Sequence, residues 1–189
     1  LNFIRGLATK LGQDFGTLAQ GYASMEAAAR GTNLAGQATR DIFTAIVAAG
    51  TALHLSANDM HSVLLATQQI MNKGVVSSEE LRQQLGERLP GAMAIAARSM
   101  GMTGQEFSKL VETGGLLSSS FLPKFAAQLQ KELGGGAAAA AQTFNASMAR
   151  LGNAVSAAAA EVAQSGLLAW LGKVADGMAR IIALGPDAA

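Results

Sequence analysis

The chain has 189 residues, 50% hydrophobic but only 5% aromatic and 14% charged, with a formal net charge of +1 and no cysteine. These values exclude disulfides, thiolate metal sites and cysteine nucleophiles. With Lys and Arg spread singly, they also argue against sequestering nucleic acid as a main role. Charge well below the roughly 25% of ordinary soluble domains suits a chain that hides much of its surface in an assembly, and the length allows one domain with a real core plus extensions.

Residues 2 to about 30 carry Ile4, Leu7, Leu11, Phe15, Leu18, Tyr22, Met25 and Ala29 at steps of 3-4-4-3-4-3-4, close to a heptad seam. The spacing predicts one long amphipathic helix, either packed on its own domain or pairing with other copies as a coiled-coil arm. Gly6, Gly12, Gly16 and Gly21 lie off the seam, where they would let a neighbouring backbone approach closely. Gly31 to Ala38 reads as a loop. A second helix is expected from Thr39 or Asp41 to near Leu55, with Ile42, Phe43, Ile46, Val47, Gly50 and Leu53 as its stripe.

Ser56 to Gly115 is the most heavily punctuated stretch. Ser56 with Asp59, Ser77 with Glu80 and Thr103 with Glu106 each place a hydroxyl three residues before an acid. In a capping box the hydroxyl accepts from an orphan N–H of the first turn and the acid reaches back to the N-cap N–H. Gly74, Gly101 and Gly114 stand where the apolar patterns stop, as left-handed C′ residues would. A third helix is expected over 57–73, with Lys73 complementing its dipole, then a short extended link at Val75-Val76. A fourth starts at Ser77 with Leu81, Leu85 and Leu89; a fifth runs from Pro90, a good first helical residue, to about 100; a sixth spans Thr103 to Thr113.

Ser118-Ser119-Ser120 is expected to cap a seventh helix carrying Leu122, Phe125, Leu129 and Leu133. Gly134-Gly135-Gly136 reads as the clearest boundary in the chain. Beyond it, Phe144, Met148, Leu151, Val155 and Val162 form a second heptad-like seam, and Leu167, Leu171, Val174, Met178 and Ile181 form a stripe over 166–184. The whole reads as all-α: a compact bundle of short helices over about 31–133, flanked by long amphipathic helices at both ends. The divisions are a heptad-like helix over 1–30, the bundle over 31–133, a glycine linker at 134–136 and an Ala-rich helical extension over 137–189. With a start at Leu1 inside a periodic pattern and a loop-like end from Gly185, the chain is expected to be a segment of a longer protein.

Catalytic chemistry is sparse. His54 and His61 have no acid at ligand spacing, so neither a metal nor another cofactor is expected. Among the acids Glu79, Glu80, Glu87, Glu106 and Glu112, only Glu87 has an unusual context, in Leu85-Gly86-Glu87-Arg88-Leu89-Pro90, and a pair with Arg88 or a helix-corner contact explains it. Nucleophile-elbow, phosphate-loop and dinucleotide fingerprints are missing.

The run from Gln68 to Ala92, with Lys73-Gly74-Val75-Val76-Ser77-Ser78-Glu79-Glu80-Leu81 and Gly86-Glu87-Arg88-Leu89-Pro90-Gly91-Ala92 at its heart, closely resembles the tape measure domain of tailed-phage tail length tape measure proteins. Ala96 to Thr103, Leu110 to Gly115 and Leu122-Pro123 continue the likeness, which covers roughly 30–133. The resemblance implies a structural segment of the ruler that sets tail length and acts in tail assembly and DNA ejection. Its implied partners are further copies of itself, as a trimer or hexamer, the tail tube, tail-tip or baseplate proteins and tail assembly chaperones, with no specific nucleic acid. Its implied place is the tail-tube lumen, and the host cytoplasm during assembly. The family residues carried over are Gly74, Ser77, Glu79, Glu80, Leu81, Gln84, Gly86, Glu87, Arg88, Pro90, Gly91, Gly101 and Gly114, all as structural groups and none as catalytic. The alternative reading is a membrane-active helical module, motivated by low charge and the 166–184 stripe, with transient membrane contact at ejection. A peptidoglycan-acting enzyme relying on Glu87 comes third.

Overall fold

The computed structural model describes residues 1–164. Helices α1 (Asn2–Leu11), α2 (Phe15–Ala29), α3 (Gln37–Ala52) and α4 (Ala57–Lys73) are followed by a π-helix (Glu79–Leu85). Then come α5 (Gly86–Arg88), α6 (Ala92–Ser99), α7 (Gly104–Glu112), α8 (Ser118–Ala140) and α9 (Phe144–Gln164). Among the described residues the only extended pairing is an isolated bridge between Val75 and Leu117, so the fold is all-α. The chain divides after Arg150 into two units, and the packing below concerns Leu1–Arg150.

The pattern over 2–30 is two helices rather than one. Gly12 takes a left-handed φ of 63°, the Gln13 N–H returns to the Ala8 carbonyl at 3.0 Å, and Asp14 caps α2 by accepting from the Thr17 N–H at 2.7 Å. The heptad spacing crosses this stop because Leu11 and Phe15 sit four apart on either side of it. Ile4, Leu11, Leu18, Met25 and Ala29 are nevertheless buried, in the same core as the bundle rather than on an arm. Among the off-seam glycines, Gly21 marks a close approach: a Cβ there would lie 2.6 Å from Leu64 Cδ1 on α4.

The core is built around α3 and α8, with α2 laid on α4. Phe3, Tyr22 and Phe43 pack edge to face or tilted, with centroids 5.1 to 6.4 Å apart, at the separations such rings prefer. In the first turns of α8, Phe121 stacks on Phe125 at 5.1 Å and meets Phe107 of α7 at 6.0 Å. An Arg98 fork onto Glu132 (2.9 and 2.6 Å) ties α6 to α8. That fork and Gln128 hold the Glu132 carboxyl down at about 2.

Local punctuation decides most ends. Ser56 accepts from the Asp59 N–H at 3.1 Å, and α4 ends at Gly74 with φ 72°. Thr103 and Glu106 close a complete capping box. Gly101 and Gly114 both take φ 68°. Other expectations are corrected. α3 begins at Gln37 behind Gly36, and Thr39 is buried, donating its hydroxyl to the Leu34 carbonyl at 2.6 Å. Pro90 precedes α6 rather than opening it; Gly91, with φ 82°, is the cap. The serine triplet does not cap α8: Leu117 stands at the cap, and Ser120 donates back to its carbonyl at 3.0 Å.

The glycines at 134–136 lie inside α8, which runs unbroken to Ala140. Each costs about 1 kcal/mol relative to Ala in a helix. Burial of Ala137 and Ala140, and the contact a Gly136 Cβ would make with Ala52 Cβ at 3.4 Å, show a helix held by its neighbour α3. The 144–162 seam falls on α9. Among the described residues no helix is long and apolar enough to cross a membrane; the stripe over 166–184 lies outside them.

Among the described residues, one non-glycine position has a strained, left-handed backbone. His54 follows α3 with φ 57°, while the Leu55 N–H reaches back to the Gly50 carbonyl at 2.9 Å and the His54 N–H to Thr51 at 3.0 Å. This is a Schellman stop with a histidine where glycine is the usual residue. His54→Gly is expected to raise stability by about 1 kcal/mol in urea denaturation. A loss instead would mean that the imidazole makes a contact worth more than the strain.

Candidate functional site

Gly74, Ser77, Glu79, Glu80, Leu81, Gln84 and Gly86 of the family run fall at one corner, where α4 ends and the π-helix begins. Gly74 turns the chain, its carbonyl accepting from the Ser118 N–H at 3.0 Å, while the Val76 N–H donates to the Leu116 carbonyl at 2.8 Å. The link therefore lies against the segment entering α8. The chain then rises into a π-helix, not the α-helix that Leu81, Leu85 and Leu89 at steps of four suggest. All three leucines are buried. At its end Gly86 sits against the Leu81 carbonyl, which a Cβ would meet at 3.1 Å, so a larger residue there would have to push that carbonyl aside by a few tenths of an ångström.

Glu80 is the corner's central group. Its carboxylate is 2% exposed and accepts from the Lys73 ammonium and the Ser77 hydroxyl. Sequence reasoning read Glu80 as the acid of a capping box; instead Ser77 donates to it, and no side chain caps the π-helix. Burial pushes the Glu80 carboxyl up, but the Lys73 and Ser77 hydrogen bonds outweigh it, and the group stands below the usual carboxylate value. The Glu80 hydrogen bond in turn raises the Lys73 ammonium.

Beside this pair a pocket of about 290 Å³ opens between α4 and the π-helix, lined by Gln69, Asn72, Lys73, Glu79, Glu80 and Gln84. Gln69 Oε1 is buried and has no hydrogen-bond partner. Glu79 stands exposed at the rim. Gln69, Asn72 and Lys73 lie on one face of α4, but no motif of spacing marks them; only the fold brings Gln84 and Glu79 opposite.

The remaining family residues lie elsewhere. Arg88 does not pair with its neighbour Glu87. It crosses to α4 and donates to Asp59 Oδ1 at 2.7 Å and to Ser62 at 3.5 Å. The Ser56 hydroxyl, then Arg88, hold the Asp59 carboxyl below its ordinary value. Glu87 and Pro90 are exposed, Gly91 begins α6, and Gly101 and Gly114 end α6 and α7. Among the described residues no three carboxylate or histidine side chains gather as a metal site. The arrangement fastens a helix corner and leaves one polar recess.

Comparison with known proteins agrees with the sequence. The family described as "Tape measure protein" matches residues 1–164. A curated relative, the "Probable tape measure protein" of Salmonella phage Felix O1 (isolate Felix O1-VT1), is 34% identical over 144 residues. That alignment takes in 75% of this chain and 19% of the relative, so the chain spans about a fifth of that protein's length. No solved structure matches the chain.

Proposed function

The chain belongs to the tape measure protein family, and from that membership we propose that it is the folded, non-enzymatic segment of a phage tail ruler. The observation that carries the proposal is the family match across residues 1–164, which takes in the whole compact unit. A ruler works through length: as one straight helix, 189 residues would extend roughly 280 Å at about 1.5 Å per residue. The stops at Gly12, Gly74, Gly101 and Gly114 fold this part of the ruler up instead. Its task is then docking and positioning in the tail, while other parts of the parent supply measured length.

In this reading the unit works inside the tail tube after assembly in the host cytoplasm. Its partners are further copies of the chain as a trimer or hexamer, the tube wall, the tail-tip or baseplate proteins and the assembly chaperones, and it leaves ahead of the DNA at ejection. The family residues serve as stops, a corner and an ion pair, which supports a structural role over catalysis by Glu87.

The test is made in the phage that carries the parent gene, with tails measured by electron microscopy. Removing rod sequence should shorten tails by about 1.5 Å per residue. Removing residues 31–133 should instead block assembly or ejection. Infective tails shortened by roughly 150 Å, the helical length of that deletion, would overturn the assignment.

A further inference from the structure

We propose that the recess between α4 and the π-helix is a docking site for an arginine side chain presented by a partner polypeptide. The inference stands on the geometry of the corner and does not need the ruler role, since a ruler would measure equally well with the recess empty.

Three observations converge there. The first is the π-helix, a local departure from α geometry of the kind that accumulates at functional sites; here it swings Glu79 and Gln84 to face Gln69 and Asn72 across the recess. The second is charge. The lining sets the one cation Lys73 against two carboxylates, Glu79 and Glu80, one negative charge in excess, so the recess favours a cation. The third is the orphan acceptor. Gln69 Oε1 is buried without a partner, a condition that costs about 1–3 kcal/mol and calls for a donor.

The volume narrows the ligand. At about 290 Å³ the recess lies at or below the lower end of small-molecule pockets and suits one side chain. Its polar groups are dispersed: the unpartnered Gln69 Oε1, the side-chain amides of Asn72 and Gln84 and the Glu79 carboxylate. A planar guanidinium with five donors in a fixed fork serves such a set better than the compact ammonium of lysine.

The probe is acetyl-Gly-Arg-Gly-amide, titrated into the 15N-labelled full chain, with acetyl-Gly-citrulline-Gly-amide as the uncharged match. The side-chain amide resonances of Gln69, Asn72 and Gln84 are followed. Saturable shifts confined to these groups and to residues 79–84 are expected below about 10 mM, the reach of a contact worth a few kcal/mol. The citrulline peptide should leave them unmoved. Glu79→Gln, at an exposed position that spares the core, should weaken binding roughly fivefold, while Glu87→Gln, outside the recess, should not. No saturation in that range, equal shifts with citrulline, or indifference to Glu79→Gln would each overturn the proposal.

Discussion

Phe121→Ala is expected to cost about 4 kcal/mol. Phe121 is fully buried, stacked on Phe125 and tilted against Phe107. Truncating a buried Phe removes its transfer free energy and leaves a cavity that a close-packed core fills only in part, which together amount to about 3–5 kcal/mol. Three features place this site toward the upper half of that range. The ring lies on α8, the helix that packs on α3 and α6 and carries the core. Its loss strips both aromatic neighbours of a partner at once. And α7 buries only Phe107 and Val111, so its anchorage depends on that contact. Against a typical total of 5–15 kcal/mol, the variant should melt roughly 8–16 °C lower, and the α7 amides should exchange faster than those of α3. Phe121→Leu keeps most of the volume and should lose far less. A loss under about 1 kcal/mol for the alanine variant would mean that the core around α8 collapses freely onto the space and that α7 is held by other contacts.

What the residues disclosed in advance was their local chemistry. Ser56 with Gly74, and Thr103 with Gly114, bracket α4 and α7 within a residue of the expected ends, because a cap or a left-handed stop is decided by atoms a few positions apart. Gly12 and Asp14 spoke the same language and were overridden by a seam whose spacing happens to bridge them. The glycines at 134–136 mislead for the opposite reason: their local preference is for a linker, but Ala137, Ala140 and the nearby Ala52 on α3 keep the segment helical. Packing decides that point, and packing is not written in a window of ten residues. The corner itself was legible as a run of family residues but not as geometry. Leucines at steps of four suit an α-helix, and nothing in the spacing of Lys73 and Glu80 announces that a π-helix will bury the acid against the cation. Gln69 and Asn72 lay within the family run, but nothing singled them out as groups of a recess, since an amide on a helix face is ordinarily a solvated one.

That buried acid gives the second large effect. Lys73→Met removes the cation while leaving the Glu80 carboxylate 2% exposed, with the Ser77 hydroxyl and the Glu80 backbone N–H as its remaining partners. A buried carboxylate deprived of its counter-ion costs about 3–5 kcal/mol when the pair is fully buried; with the Lys73 ammonium half exposed the loss should be about 2 kcal/mol at neutral pH. The pH dependence separates this from an ordinary packing loss. In the native chain the Glu80 carboxyl lies below its unfolded value. Its contribution is therefore present above the unfolded carboxylate pKa and fades as pH falls through the lower folded one. In Lys73→Met burial dominates and the folded value should rise above the unfolded one. Such a group contributes most below the unfolded pKa and loses its contribution as pH climbs. The gap between the two chains should therefore be widest near pH 7 and shrink toward pH 4, about the unfolded value of a glutamate. Urea denaturation at acid, intermediate and neutral pH measures it. Lys73→Met combined with Glu80→Met, which replaces the pair by apolar groups of similar length, should recover most of the loss. A gap that stays constant with pH, or a double variant as unstable as the single one, would show that Lys73 supports the corner through its stem rather than its charge, and that Glu80 finds another partner when the ammonium is gone.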